Sequence, residues 1–172
     1  MRASVIFAAA LFSAPAVAAI TSSSDVGFEV SSSITVHADA VTAWQALGQP
    51  QLWWDAKHTW SGSAANLSLD PHVGGCFCEA MPERGRIEHG RVIAILPGKL
   101  LRLSGALGPF QEHAVAGTLS LAMLPAPGGT TISFTYAVAG YMPGGMKAIA
   151  PAVDAVIAGQ LAHLAAKLGA SR

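Results

Sequence analysis

The stretch that decides the fold is residues 151–168, PAVDAVIAGQLAHLAAKL, because its large apolar residues recur at helical spacing. On a helical wheel these residues share one arc about 80° wide: Val153, Ile157, Leu161, Leu164 and Leu168. Alanines and Gly159 fill the opposite side, and only a narrow polar strip with Gln160, His163 and Lys167 remains. We expect a helix with so little polar surface to be mostly buried. Its alanine-rich side allows either close packing or an empty space beside the helix.

The first 18 residues predict a signal peptide. Arg2 precedes an apolar run at residues 3–12, and Ala16-Val17-Ala18 is typical of a cleavage site. The run is shorter than the roughly 20 residues that a membrane-spanning helix needs, which disfavours an uncleaved anchor. We therefore expect a periplasmic or secreted protein with a signal peptide at 1–18, a polar linker at 19–24 and a single domain at 25–172.

The composition argues against nucleic-acid binding and for an apolar interior or cavity. The 172 residues include ten basic and ten acidic side chains, with no cluster of basic residues that could follow a phosphate backbone. Charged residues make up only 12% of the chain and its mean hydropathy is +0.45. Because no apolar run after the signal peptide is long enough to span a membrane, this surplus has to be buried, line a cavity or form an interface.

The order of the predicted elements is a strand, two short helices, five or six more strands and one long helix. Residues 26–36 alternate between apolar and polar side chains, as in a half-buried strand. Asp39 predicts the start of the first short helix, and Pro50 that of the second. Strands in hairpin succession predict an antiparallel sheet, and the final helix has to cover one face of it. The fold class is therefore α+β.

Six segments of the sequence carry a resemblance to a known family: residues 34–47, Leu52-Trp53-Trp54, Val73-Gly74-Gly75-Cys76-Phe77, Gly90-Arg91-Val92 followed by Pro97, Gly129-Thr130-Thr131, and the final helix. Together they resemble the AHSA-type branch, similar to polyketide cyclases and dehydrases, of the START-like SRPBCC superfamily. The resemblance implies a helix-grip fold, in which a curved antiparallel sheet wraps around the long C-terminal helix. It also implies a cavity between sheet and helix for an apolar or amphipathic small molecule. The final helix has Pro151 where a tryptophan is common near its start, so we expect an altered cavity mouth.

Three tryptophans, Trp53, Trp54 and Trp60, lie within eight positions. Tryptophan combines an apolar body with one polar group, which suits the wall of a binding cavity. Packing of Trp53 or Trp54 under the edge of the sheet explains the pattern equally well. We expect one of the two to lie in the core and the other at the cavity.

Cys76 and Cys78 are two residues apart in a predicted strand, so both point to one face of it. Their Cα atoms are expected about 6.6 Å apart with parallel side chains, a poor geometry for a disulfide. We favour two free thiols in the core or at the cavity; a strained, reactive disulfide is the alternative. A metal site with His72 or His89 is disfavoured, because two thiols without a second spaced pair are a weak zinc signal.

Other polar and apolar candidates lie around the predicted cavity. His89 and Arg91 share a face of their strand, where they could hold a carboxylate, although surface pairing with Glu79 or Glu88 is the favoured interpretation. Tyr136 lies on an apolar strand face, so its hydroxyl needs a partner inside the protein. Tyr141 and Met142, between glycines and a proline, predict either a mobile lid or an ordinary loop at the cavity end.

Two functions follow from these observations. The first is an exported protein that binds an apolar or amphipathic small molecule, without cofactor or metal. The alternative is an enzyme of the cyclase, dehydratase or hydrolase type that uses Tyr136, His89 or Arg91 in the same cavity. The sequence contains no nucleophile elbow, phosphate loop or dinucleotide fingerprint, so no catalytic residue is assigned. A protein-interaction module is a third alternative, for which the apolar surplus would form an exposed patch.

Overall fold

The computed structural model of the chain describes residues 17–169, which are built around one antiparallel sheet. Its strands are β1 (Val17–Ser24), β2 (Gly27–Val36), β3 (Leu67–Leu69), β4 (Cys76–Ala80), β5 (Arg86–Leu96), β6 (Leu100–Ser104), β7 (Ala114–Ala126) and β8 (Gly129–Tyr141). Their order across the sheet is β1-β2-β8-β7-β6-β5-β4-β3. Except for the pairing of β2 with β8, all neighbours in the sheet are consecutive in sequence. This is the predicted hairpin succession.

Two helices accompany the sheet: α1 (Ala40–Leu47) and α2 (Ala150–Gly169). Short 3₁₀ turns lie in the connections at Pro50–Leu52, Ala56–His58, Ala64–Asn66, Pro82–Arg84 and Gly108–Glu112. Asp39 caps α1 as predicted, because its carboxylate accepts a hydrogen bond from the Thr42 amide at 2.7 Å. α2 packs against β2, β1, β8 and α1. The predicted α+β helix-grip architecture is confirmed.

The core lies between α2 and the concave face of the sheet. Alternate residues of β7 and β8 are buried there: Leu119, Leu121, Met123, Ile132, Phe134, Tyr136 and Val138. From the helix, Ile157, Leu161, Leu164 and Leu168 are buried against them. The alternate residues of the strands and the apolar arc of the helix therefore form one apolar cluster.

The two sides of α2 differ from the sequence prediction. Gln160, predicted in a polar strip, is 1% exposed. Ala155, Ala162 and Ala166 are exposed, although the helix was expected to be mostly buried. The reason is geometric: these alanines lie opposite the arc that packs on the sheet, and the sheet covers only one side of the helix.

Residues 19–24 are part of β1 and not the predicted linker. Ala19 pairs with Ser31 and Ser24 pairs with Gly27 of β2. The segment lies at the edge of the sheet and is exposed throughout, so backbone pairing forms the strand without an alternating apolar pattern. The predicted signal peptide lies outside the described residues except for Val17 and Ala18, and it stays a prediction. Within residues 17–169 no helix has the length and apolar character needed to cross a membrane.

Candidate functional site

A cavity of about 520 Å³ lies beneath the first half of α2. Four parts of the chain enclose it: α2, strand β8, the segment 54–60 and the loop 107–110. The residues that line it are Trp54, Lys57, His58, Thr59, Trp60, Leu107, Gly108, Pro109, Phe110, Tyr136, Ile149, Ala152, Val153, Val156 and Ile157. A volume of this size is typical of sites for small organic ligands.

The inner surface of the cavity is apolar. The helix contributes aliphatic side chains, and the wall opposite carries Trp54, Trp60 and Phe110. Trp54 packs edge-on against Phe77, with ring centroids 5.3 Å apart, and its indole N–H donates to the His58 carbonyl at 3.1 Å. The aromatic wall is therefore held in a defined orientation by both stacking and a hydrogen bond.

Apart from the buried Tyr136, the polar side chains that line the cavity lie at its mouth. Lys57 and His58 are exposed there, and Thr59 is half-buried. None of the lining residues is acidic. The mouth thus has a basic character while the interior is apolar.

A buried carboxylate holds the wall that contains Trp60. Glu79 is fully buried, and its oxygens accept hydrogen bonds from the amides of Trp60, at 3.0 Å, and of Ser61. The Nε2 atom of His89 lies 2.9 Å from the same carboxylate. Burial alone would raise the pKa of Glu79, but the hydrogen bonds from Ser61, Trp60 and His89 outweigh it and lower the pKa below its usual value. Glu79 therefore stays ionised at neutral pH.

A second buried side chain holds the same segment from the helix. The Oε1 atom of Gln160 accepts a hydrogen bond from the Asp55 amide at 2.8 Å. Because Gln160 is on α2 and Asp55 precedes the mouth residues, this bond fixes the distance between the helix and the opposite wall.

The third such contact comes from Tyr136 on β8. Its hydroxyl accepts a hydrogen bond from the Leu107 amide at 2.8 Å and donates to the Gly105 carbonyl at 3.2 Å. Burial raises the pKa of Tyr136 to about 12, although the bond from Leu107 acts in the opposite direction. The hydroxyl is therefore protonated at neutral pH, and it holds the loop that closes the cavity. We call Glu79, Gln160 and Tyr136 the wall anchors.

The contact of Tyr136 with this loop depends on a glycine. A Cβ atom at Gly117 would lie 2.7 Å from the Tyr136 hydroxyl, and it would also clash with the Gly105 carbonyl. The Gly117 carbonyl in turn accepts a hydrogen bond from the Gly105 amide at 2.9 Å. Only glycine allows these three backbone and side-chain groups to meet so closely.

The structure brings three of the ten predicted site residues together at the cavity: Trp54, Trp60 and Tyr136. Trp53 is 5% exposed and packs on Phe134, with ring centroids 5.8 Å apart. Its indole N–H donates to the Ala46 carbonyl at 3.0 Å. Of the adjacent pair, Trp53 is thus the core residue and Trp54 the cavity residue.

Cys76 and Cys78 are joined in a disulfide, so the favoured prediction of two free thiols is wrong. Their Cα atoms are 5.4 Å apart, within the range of about 4.4–6.8 Å that disulfides adopt. The prediction assumed a regular extended strand, but β4 pairs with β5 through a register shift next to Cys78. Such irregularities increase the local twist, and twisted strands have a shorter rise. Neither cysteine lines the cavity.

His89 and Arg91 do not share a face, contrary to the prediction. Phe77 pairs with Gly90 and Cys78 with Glu88, which leaves His89 as an additional residue on β5. This bulge turns His89 inward to Glu79, whereas Arg91 is exposed and forms an ion pair with Glu88. The predicted surface pairing with arginine is found for Glu88, although within β5 and not across two strands as expected, and it is wrong for Glu79. Neither His89 nor Arg91 lines the cavity.

Tyr141 and Met142 also lie outside the cavity wall. Tyr141 is 71% exposed at the end of β8, and Met142 is half-buried against the core.

Among the described residues, one group has the spacing of metal ligands: Cys76, Cys78 and Glu88 lie within 4.8 Å of one another. The two sulfur atoms are bonded to each other and Glu88 is paired with Arg91, so the group offers no free thiolate for a metal ion.

Sequence reasoning missed two of the wall anchors, Glu79 and Gln160. Both are polar residues that a pattern based on hydropathy assigns to the surface. For Glu79 there was a usable signal, since it follows Phe77 at strand spacing and therefore shares the face of a core residue. For Gln160 the adjacent position of Leu161 and Leu164 on the helix was a weaker signal of the same kind.

Comparisons with known proteins support the fold. The sequence matches no protein-family model and no curated protein. The solved structure of a Rhodobacter sphaeroides protein is similar, with a TM-score of 0.59 and 24% identity over 90% of this chain and 99% of its own. A Rhizobium leguminosarum protein has a TM-score of 0.59 and 20% identity over 90% of this chain and 98% of its own.

A further similar structure is the di-domain ARO/CYC StfQ from the steffimycin biosynthetic pathway. It has a TM-score of 0.56 and 13% identity, and the match covers 84% of this chain and 51% of StfQ. At these identities the similarity establishes the architecture alone. Together with the sheet that curves around α2, it shows that this chain has the helix-grip fold.

Proposed function

We propose that this chain is an exported binding protein that holds an apolar or amphipathic small molecule between the sheet and α2. The observation that supports the proposal is the cavity of about 520 Å³ with aromatic and aliphatic walls. Removing an apolar molecule from water into such a site is favourable by roughly 25 cal/mol per Å² of buried apolar surface. Few polar groups face the interior, since the Tyr136 hydroxyl is hydrogen-bonded to the backbone and the other polar lining residues lie at the mouth.

The wall anchors support binding in a second way. Glu79, Gln160 and Tyr136 hold the walls in place through buried hydrogen bonds, so the cavity is formed before a ligand arrives. A preformed site lowers the entropic cost of binding.

Membership of the AHSA-type branch of the SRPBCC superfamily is part of the proposal. It rests on the segments that resemble that branch, and the helix-grip fold is compatible with it. Export rests on the signal peptide at residues 1–18. Expression of the full chain in a Gram-negative host, followed by mass spectrometry of the periplasmic product, tests export; we expect the mature protein to begin at Ala19.

Native mass spectrometry of protein purified without denaturant tests the binding function. We expect a fraction of the molecules to retain a small apolar molecule. In a second measurement, the neutral dye N-phenyl-1-naphthylamine should bind with increased fluorescence and compete with the retained molecule. Protein that is uniformly empty and fails to bind the dye would contradict the proposal.

A matched pair of helix variants shows whether the dye binds in this cavity. Ala152 and Ala162 are both exposed on α2, but only Ala152 lines the cavity. We expect Ala152→Phe to weaken dye binding at least fivefold, because the ring takes up cavity volume, and Ala162→Phe to leave it unchanged. Equal affinities of the two variants would place the dye elsewhere.

Enzymatic activity is the second candidate, and one observation favours it: an imidazole, that of His58, faces the cavity. The predicted catalytic groups His89 and Arg91 lie outside the cavity wall, and the Tyr136 hydroxyl is bonded to the backbone. The molecule recovered with the protein distinguishes the two functions. A carrier returns it with unchanged mass after prolonged incubation, whereas an enzyme converts it and His58→Gln slows the conversion.

A further inference from the structure

The polar groups deep in the cavity already have hydrogen-bond partners within the protein. The Tyr136 hydroxyl binds Leu107 and Gly105, and the Leu107 amide is the donor in one of these bonds. The other deep lining residues are aliphatic or aromatic, such as Ile157 and Phe110. A ligand with one polar head group therefore has to place that group at the mouth, since a buried polar group without a hydrogen-bond partner is costly.

Basic side chains dominate the mouth. Lys57 and His58 line it, and no acidic residue does. Within the described residues neither of the two side chains forms an ion pair or a side-chain hydrogen bond. Their charged or donor groups are therefore available to a head group.

One carboxylate lies close to the mouth and has to be considered. Asp55 accepts a hydrogen bond from the Lys57 amide at 3.0 Å, which lowers its pKa together with the nearby charges of His58, His163 and Lys57. Its carboxylate caps the turn at Ala56–His58, and the residue does not line the cavity. One acidic residue faces three basic ones here, so the mouth keeps a basic excess.

From the apolar interior and the basic mouth we infer that the ligand is an amphipathic organic anion. Its apolar body fills the space between α2 and the aromatic wall, and its acidic head group lies at Lys57 and His58. This inference rests on the proposed binding function and narrows its ligand class. The electrostatic contribution to binding favours an acidic head group, because the basic side chains at the mouth repel a cationic one.

Three probes with the same alkyl chain test the inference: decanoate, 1-decanol and decylammonium, each titrated calorimetrically at pH 7.5 in low salt. We expect decanoate to bind about three- to tenfold more tightly than decanol, the range that one or two solvent-exposed ion pairs provide. Decylammonium should bind most weakly. In 1 M NaCl the preference for decanoate should shrink because salt screens exposed charges.

Two variants test whether the preference for decanoate over decanol comes from the residues at the mouth. In Lys57→Gln/His58→Gln the ratio of decanoate to decanol affinity should fall towards one. Lys99→Gln, which removes an exposed lysine from the turn between β5 and β6, should keep the wild-type ratio. Decanol or decylammonium binding as tightly as decanoate to the wild-type protein would overturn the inference and leave the binding function intact. Failure of all three probes to bind would count against the binding function itself.

Discussion

The interior under the second half of α2 and the interior under its first half are built in different ways. In the packed half, around Leu161, Leu164 and Leu168, side chains of the helix are buried directly against the apolar cluster of the sheet. In the hollow half, around Val153 and Val156, the helix borders the cavity. There the wall anchors bind the backbone of the opposite walls.

The difference shows what keeps a cavity open. Apolar packing favours collapse, since empty space loses dispersion contacts and leaves apolar surface in contact with water. Directional hydrogen bonds from buried side chains hold a wall at a fixed distance instead. The packed half thus depends on shape and volume, and the hollow half on a few polar groups.

The largest expected effect comes from removing Glu79. Glu79→Ala should destabilise the protein by about 3–5 kcal/mol, because His89 and two wall amides lose their buried acceptor. It should also weaken binding of N-phenyl-1-naphthylamine, since Trp60 is no longer held. Urea unfolding followed by circular dichroism, together with dye titration, measures both effects. Glu79→Gln keeps one acceptor oxygen and should give intermediate values.

A core variant in the packed half is the matched control. Leu164→Ala should cost about 2–5 kcal/mol through loss of apolar contacts and the void it leaves. It should retain the dye affinity within about twofold, because the ligand site lies in the other half. Equal loss of dye binding in both variants would show that the two halves are not independent.

A smaller effect is expected for Tyr136→Phe. The hydroxyl accepts a hydrogen bond from the Leu107 amide and donates one to the Gly105 carbonyl. Its loss should therefore lower the free energy of unfolding by about 1–2 kcal/mol at pH 8. Because the folded pKa is raised from 10.0 to about 12, the stability that depends on protonated Tyr136 is complete below pH 10 and is lost as the pH rises through 12. The stability difference between wild type and variant should therefore shrink at pH 11.

Urea unfolding at pH 8 and pH 11 measures this difference. Tyr141→Phe is the control, since Tyr141 is exposed and its hydroxyl makes no hydrogen bond within the described residues. A wild-type advantage over Tyr136→Phe that stays constant between the two pH values would contradict the assignment.

The smallest expected effect concerns Gly159, and Gly117 is its comparison with the opposite sign. Gly159 on α2 has open space around it, so Gly159→Ala should stabilise the protein by about 0.5–1 kcal/mol through helix propensity. Gly117→Ala should destabilise it, because a Cβ atom there clashes with Tyr136 and Gly105. Thermal unfolding compares the two variants. A loss of stability in Gly159→Ala would indicate that the alanine-rich side of the helix is covered in solution.

Much of the fold could be predicted because it follows from periodicity. The alternation that predicts a strand at residues 26–36 and the apolar arc from Ile157 to Leu168 are local patterns. Each forms the predicted element, and Phe28, Val30 and Val36 of the strand are buried like the helical arc. The order of turns and strands then limits the topology.

The site was harder to predict because it depends on departures from periodicity. The bulge at His89 changes which neighbours share a face of β5, and no local pattern in the sequence marks it. The burial of Gln160 depends on the segment around Asp55, which is distant in sequence. A cavity was predicted beside the helix, but it borders mainly Val153 and Val156 and reaches only Ala152 of the alanines, since only the tertiary arrangement decides which side faces the sheet.

The wall anchors bind main-chain groups, and this has a consequence for how such a protein can change. The amides of Asp55, Trp60, Ser61 and Leu107 are the same whatever side chain each residue carries. Substitutions at Trp60 or Leu107 can therefore reshape the lining while the loops stay where they are. In this chain ligand specificity depends on the lining side chains, and the position of the loops depends on backbone amides. A substitution can therefore change the specificity without changing the fold.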